Sequence, residues 1–133
     1  MKIEDLEGVG PVYGARLRAA GVQTTDHLLE KAGPAAGRRA LAAAADVSPE
    51  LLLRWTNHAD LYRISGVGSE YADLLETSGV DSCTELAQRN PANLATTMAE
   101  ANAVRSLVRR LPTEEVVAGW IAQAKGLSKV VTH

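Results

Sequence analysis

Gly8-Val9-Gly10 and Gly66-Val67-Gly68 are two copies of one short stretch, and this stretch decides the fold. Two glycines around a small apolar residue are typical of a tight reversal, because glycine tolerates positive φ and close backbone approach. Pro11 follows the first copy at a position that is favoured in the first turn of a helix. Ser69 and Glu70 follow the second copy as an expected cap and an acid suited to the helix dipole. Each copy therefore predicts a turn that opens a helix.

The two copies belong to a longer internal repeat. An offset of 66 − 8 = 58 residues aligns Gly8 with Gly66, and the same offset brings further glycines, tyrosines and aliphatic residues into register: Val9 with Val67, Gly10 with Gly68, Tyr13 with Tyr71, Leu17 with Leu75, Gly21 with Gly79, Val22 with Val80, and Leu28 with Leu86. Further along, Trp55 aligns with Trp120 at an offset of 65, which predicts about seven inserted residues near 90–102. We infer a duplicated unit.

Each half begins with a helix of roughly ten residues after its two-glycine turn. Gly21 and Gly79 stand where a left-handed glycine ends such a helix. Thr24 or Thr25 in the first half, and Ser82 or Cys83 in the second, is expected to begin a short second helix, over 26–31 and 84–89 respectively.

The rest of each half is also helical in pattern. The alanine-rich residues 36–45 predict a third helix, and residues 92–110 predict a longer and less regular counterpart. The starts Ser48-Pro49-Glu50 and Pro112-Thr113-Glu114 predict the last helix of each half, with Trp55 and Trp120 as core anchors. Because no segment alternates apolar and polar residues as a strand does, the fold class is all-α.

The composition limits the function. The chain has 133 residues, a formal net charge of −2 and a pI near 5.9, a balance that argues against strong nonspecific binding to nucleic acid. Cys83 is the single cysteine, so no internal disulfide is possible and a cytoplasmic location is expected. No apolar run approaches the ~20 residues of a membrane span.

The paired two-glycine turns carry a family resemblance. The pattern from Gly8 to Leu17, repeated from Gly66 to Leu75, resembles the helix-hairpin-helix motif of DNA repair and recombination proteins. The whole unit is similar to the SAM-like helical domains at the N-terminus of recombinases and at the C-terminus of the RNA polymerase α subunit. With the Asn57–Asp60 segment before the second turn, the tandem resembles a bacterial family of uncharacterised proteins with two such units.

The repeat and the helix pattern divide the chain into unit 1 over residues 1–62, unit 2 over 63–127 and a frayed tail over 128–133, with a helix near 48–64 shared by both units. The resemblance implies a binding surface. It implies sequence-nonspecific contact with DNA phosphates through the two turns and nearby basic residues, with these residues as the candidate nucleic-acid site: Gly8, Val9, Gly10, Val12, Arg16, Arg18, Gly66, Val67, Gly68 and Ser69.

The two candidate turns differ in the charge of the residues that follow them. Arg16 and Arg18 follow the first turn, whereas the helix after the second carries Glu70, Asp73 and Glu76, which would repel phosphate. DNA binding is therefore expected to be weak, salt-sensitive and confined to the first turn. The alternative is a protein-interaction or self-assembly module whose turns are purely structural, and for Arg38 and Arg39 a solvated helix face is the favoured interpretation.

An enzymatic function is not expected. His27, His58, His133 and Cys83 have no spacing that makes a metal site. The turns lack the preceding strand and third glycine of a dinucleotide-binding loop, and neither is followed by a phosphate-loop lysine. The sequence thus predicts no catalytic residue, no metal, no cofactor and no small-molecule substrate, and no association with a membrane.

Overall fold

A computed structural model describes residues 1–133 and is all-helical, without strands. After a 3₁₀ turn at Ile3–Asp5, the eight α-helices are α1 Gly10–Ala19, α2 Thr25–Ala32, α3 Ala35–Ala45, α4 Pro49–Leu61, α5 Ser69–Thr77, α6 Cys83–Ala87, α7 Pro91–Arg105 and α8 Glu114–Lys125. None of these helices combines the length and the apolar character that crossing a bilayer requires. The all-α prediction is confirmed.

The chain divides into two compact units. Unit 1 comprises Met1–Asp60 together with Val130–His133, and unit 2 comprises Leu61–Lys129. In unit 1 the 3₁₀ turn packs on α1, while α3 packs on both α1 and α2. In unit 2, α6 and α7 pack on α8, and α5 packs on α7.

The core of each unit is made of aliphatic side chains around one tryptophan. Trp55 is 1% exposed in unit 1, and Trp120 is 3% exposed in unit 2. Fully burying a leucine-sized side chain contributes roughly 1.5–3 kcal/mol, so these clusters dominate the stability of their units. Both tryptophans are core anchors, as the sequence predicts.

The helix boundaries follow from caps that recur in the two units. The Thr24 hydroxyl accepts a hydrogen bond from the amide of His27, and the Ser82 hydroxyl accepts one from the amide of Glu85. Each of these bonds satisfies an amide in the first turn of a helix, which would otherwise have no partner. Gly21 and Gly79, with φ of +93° and +91°, end the preceding helices in the left-handed region. The first helix of each unit therefore ends, and the second begins, for the same local reasons.

Ser69 does not cap α5. Gly68 occupies the N-cap position and makes no side-chain cap, and the Ser69 hydroxyl instead lies 3.0 Å from the Tyr62 hydroxyl. Serine is a preferred N-cap residue. Here, however, the hydroxyl of Ser69 forms a hydrogen bond with the hydroxyl of Tyr62 and does not cap the helix.

The segment predicted to be irregular is a regular helix followed by a loop. α7 spans 15 residues against 11 for α3, so part of the insertion lengthens the helix. The remainder lies in residues 106–113, where the Asn102 side chain bonds both backbone groups of Val108 (2.9 and 3.1 Å). The tyrosine hydroxyl of Tyr71 donates to the carbonyl of Arg110 at 2.9 Å. The loop is therefore held by one local contact, from Asn102, and by one distant contact, from Tyr71.

The last residues of the chain are packed against unit 1, and the prediction of a frayed tail is wrong. The amide of Thr132 donates to the carbonyl of Gly33 at 2.9 Å, and the hydroxyl of Thr132 accepts from the amide of Ala35 at 3.0 Å. Val131 is buried. These partners lie nearly a hundred residues earlier in the chain, so no local pattern could indicate them.

Candidate nucleic-acid interface at the two-glycine turns

Each two-glycine turn is built on its tryptophan. Gly8 and Gly66 adopt φ of +89° and +93°, a region that L side chains rarely enter. A Cβ added at Gly8 would lie 3.3 Å from Nε1 of Trp55, and one added at Gly66 would lie 3.3 Å from Nε1 of Trp120. Both positions therefore need glycine for the backbone conformation and for the close approach of the indole.

A tyrosine completes each of these contacts. The ring of Tyr13 packs on Trp55 with centroids 5.1 Å apart and planes at 64°, and the ring of Tyr71 packs on Trp120 at 5.2 Å and 57°. Inclined aromatic pairs at this distance are favourable. The aligned tyrosines and tryptophans of the repeat are thus partners, a pairing that the sequence analysis did not identify because they lie more than forty residues apart.

The amides of the turns are not equally available. Val9 donates to the carbonyl of Leu6 and Val67 to the carbonyl of Ile64, both at 3.1 Å, and both valine side chains are buried. These two amides close the turns, which corrects their assignment as contacts for a phosphate. The remaining candidate amides lie at the helix starts, where the first-turn N–H groups have no partner inside the helix.

The surface after the first turn is the start of α1. Gly10 opens this helix with φ of +66°, and Pro11 stands in its first turn. Val12, in the first turn of this helix, is 66% exposed. The surface after the second turn is formed by Gly68 and Ser69 at the start of α5, a helix that carries acidic side chains and no basic one.

Arg18 is held by an acidic partner. Its guanidinium forms a two-pronged ion pair with Glu4, with one N–H donating to Oε1 at 2.7 Å, and a third N–H donates to Gln23 Oε1 at 2.5 Å. The hydrogen bond from Arg18 lowers the pKa of Glu4 from 4.5 to about 2, and the carboxylate in turn raises the pKa of Arg18. The charge of Arg18 is therefore already neutralised within unit 1. The sequence offered no signal for Glu4 as its partner.

Arg16 remains the accessible cation near the first turn. It is exposed, stands over the ring of Tyr13 at 5.5 Å and donates to the backbone carbonyl of Asp46 at 3.0 Å. Neither contact involves an opposite charge, so its positive charge is uncompensated. Arg16 and Arg18 both lie in the last turn of α1, but only Arg18 is paired with an acid.

The buried Arg38 departs from the expected solvated helix face. Only 9% exposed, it donates to the carbonyls of Ala32 and Gly33 at 3.0 Å each and to the carbonyl of Thr132 at 2.8 Å. Arg39 beside it is exposed, as predicted. Arg38 thus joins the end of α2 to the C-terminal segment.

Comparisons with known proteins identify the family of this chain and nothing further. Searches of the curated proteins and of the solved structures give no significant match. A family model described as a domain of unknown function (DUF4332) matches residues 7–127, which include both two-glycine turns and all eight helices. The chain therefore belongs to this family.

Proposed function

We propose that this protein is a non-enzymatic binding module made of two duplicated helix-hairpin-helix units. In this proposal the first two-glycine turn binds a nucleic-acid backbone weakly and without sequence preference. The observation that carries the proposal is the make-up of α1, whose exposed start provides the Gly8–Gly10 turn and first-turn amides and whose last turn carries the uncompensated charge of Arg16.

The duplication is supported by contacts that recur in the two units. The bond from Val9 to Leu6 has its counterpart in the bond from Val67 to Ile64, and the first glycine of each turn faces the indole of its own tryptophan. Independent origins would have to reproduce the turn, its closing bond and its aromatic support together. A copied ancestral unit is the simpler account.

The charge distribution favours the first turn over the second. The partial positive charge of a helix start attracts phosphate, and a nearby cation adds to that attraction. Arg16, in the last turn of α1, supplies a cation on this helix, whereas Glu70 and its acidic neighbours on α5 oppose an anion. We therefore place the contact at Gly10, Val12 and Arg16, and assign the second turn a structural role.

The same residues imply a low affinity. A protein loses roughly 0.9 logarithmic units of binding constant per tenfold rise in salt for each phosphate that it neutralises on duplex DNA. With Arg18 paired to Glu4, Arg16 is the one uncompensated cation on α1, so a salt slope of about −1 is expected.

The test is a titration of fluorescent duplex DNA at low and moderate salt. Wild type should bind weakly with a shallow salt slope, and Arg16→Glu should abolish binding. Arg105→Glu makes the same charge change at an exposed residue of unit 2 and should bind like wild type. Absence of binding by wild type at low salt, or equal loss in both variants, would contradict the proposal.

A protein-interaction or self-assembly module is the second candidate. Its supporting observation is a set of exposed aliphatic side chains in unit 2, with Val104 85%, Leu111 41% and Val116 44% exposed. If these apolar side chains form a partner surface, association should bury them away from water. Light scattering tests this candidate. It would be favoured if DNA does not bind, if the mass of wild type rises with protein concentration, and if Val104→Ser has a lower mass than wild type at the same concentration.

A further inference from the structure

A cleft in unit 1, separate from the two-glycine turn, has no role in the function proposed above. It has a volume of about 270 Å³ and lies between the first part of α3 and the first part of α4. Arg38 and Arg39 contribute its basic side, and Ala35, Pro49 and Leu53 contribute its apolar side. We refer to it as the arginine cleft.

The buried arginine of the cleft has no acidic partner. The three hydrogen-bond acceptors of Arg38 are neutral backbone carbonyls, and it forms no ion pair. A guanidinium has five N–H donors, so two of them remain without an acceptor. Burying a charge without a counter-charge is costly, and an anion in the cleft would offset that cost.

A second positive charge stands beside the first. Burial lowers the pKa of Arg38, and the neighbouring charge of Arg39 lowers it further. Arg39 is exposed and makes neither a hydrogen bond nor an ion pair, so its donors are available to a ligand. Like charges that face a common cavity repel each other until an anion is placed between them.

We propose that the arginine cleft binds a small organic anion, with its carboxylate or phosphate group on Arg38 and Arg39 and its apolar body against Ala35, Pro49 and Leu53. Arginine pairs suit both head groups because the planar guanidinium donates two parallel hydrogen bonds. The volume admits a ligand of small-metabolite size. Glu50 and His133 also line the cleft, and the carboxylate of Glu50 weakens the attraction.

The ligand class is tested by NMR titration of the full chain, with backbone amides and arginine Nε–H groups observed. The probes are benzoate, phenyl phosphate, inorganic phosphate and neutral benzyl alcohol. The two organic anions should give saturable shifts at Arg39 and Ala35, while benzyl alcohol should give none. Benzyl alcohol binding as well as benzoate would overturn the role of charge, and inorganic phosphate binding as tightly as phenyl phosphate would overturn the role of the apolar wall.

Variants of exposed residues separate this site from the DNA-binding surface. Arg39→Gln should weaken the binding of phenyl phosphate by about tenfold, because it removes charge-assisted hydrogen bonds without disturbing the buried Arg38. Glu50→Gln should tighten it, since it removes a repulsive charge. Arg16→Gln should leave it unchanged, whatever its effect on DNA. Unaltered binding in Arg39→Gln, or shifts that never saturate, would refute the proposal.

Discussion

Gly8 faces Trp55 so closely that a Cβ at this position would lie 3.3 Å from Nε1 of the indole. Gly8→Ala combines this crowding with a positive φ, and the same holds for Gly66→Ala against Trp120. We expect each substitution to lower the free energy of unfolding by about 1–3 kcal/mol. Urea denaturation followed by tryptophan fluorescence measures the change.

Gly119→Ala is the matched control for these two variants. Gly119 lies inside α8 with open space at its Cβ position, and its φ is not positive. Alanine there should raise stability by up to about 1 kcal/mol. If Gly8→Ala behaved like Gly119→Ala, the tight contact with Trp55 would have no energetic weight.

Tyr13 and Tyr71 pack alike on their tryptophans but differ at the hydroxyl. Tyr71 donates to the carbonyl of Arg110, whereas the hydroxyl of Tyr13 makes no hydrogen bond. Tyr71→Phe should therefore lower stability by about 0.5–1.5 kcal/mol and speed amide exchange in residues 106–113. Tyr13→Phe should be near neutral in both measurements, and equal effects would contradict the assignment.

The ion pair between Glu4 and Arg18 predicts a pH dependence. The pKa of Glu4 is lowered from 4.5 to about 2 by the hydrogen bond from Arg18. A lowered folded-state pKa adds stability above the unfolded-state value, and that stability is lost as the pH falls through the folded-state value. Wild type should lose this contribution between pH 4.5 and about 2, and Glu4→Gln should not. Thermal melts of both proteins from pH 6 to 2 measure the difference, and parallel curves would contradict it.

Removing Glu4 should also release Arg18 for a phosphate. At neutral pH, Glu4→Gln should bind duplex DNA more tightly than wild type, with a salt slope steeper by about one unit. Glu30→Gln removes an equivalent charge from an exposed position on α2 and controls for net charge. An equal gain in both variants would mean that net charge, and not the freed arginine, governs the affinity.

Arg38 is expected to stabilise the C-terminal segment. Arg38→Met removes three hydrogen bonds to the carbonyls of Ala32, Gly33 and Thr132 and should cost roughly 2–4 kcal/mol. Arg39→Ala, at the exposed neighbouring position, should change stability by less than about 0.5 kcal/mol. Urea denaturation gives both values, and limited proteolysis should cut the Arg38→Met protein first near residues 130–133.

Local chemistry determined the helices. The two-glycine turns and the left-handed Gly21 and Gly79 act within a few residues, so the sequence alone places them correctly. For the caps the sequence narrowed the choice to two neighbouring residues each, and the structure selects Thr24 and Ser82. The same is true of the all-α class and of Trp55 and Trp120 as core residues. Each of these features depends on backbone preference or on hydrophobic periodicity, which a sequence displays directly.

The tertiary structure decided which groups remain available to a ligand. Arg16 and Arg18 look equivalent in the sequence, yet Glu4 neutralises only Arg18. Arg38 and Arg39 also look alike, yet one is buried against Thr132 and the other is exposed. The physical reason is that an ion pair or a buried hydrogen bond needs a partner that folding brings close. When that partner is far away along the chain, the sequence does not indicate which residue it is.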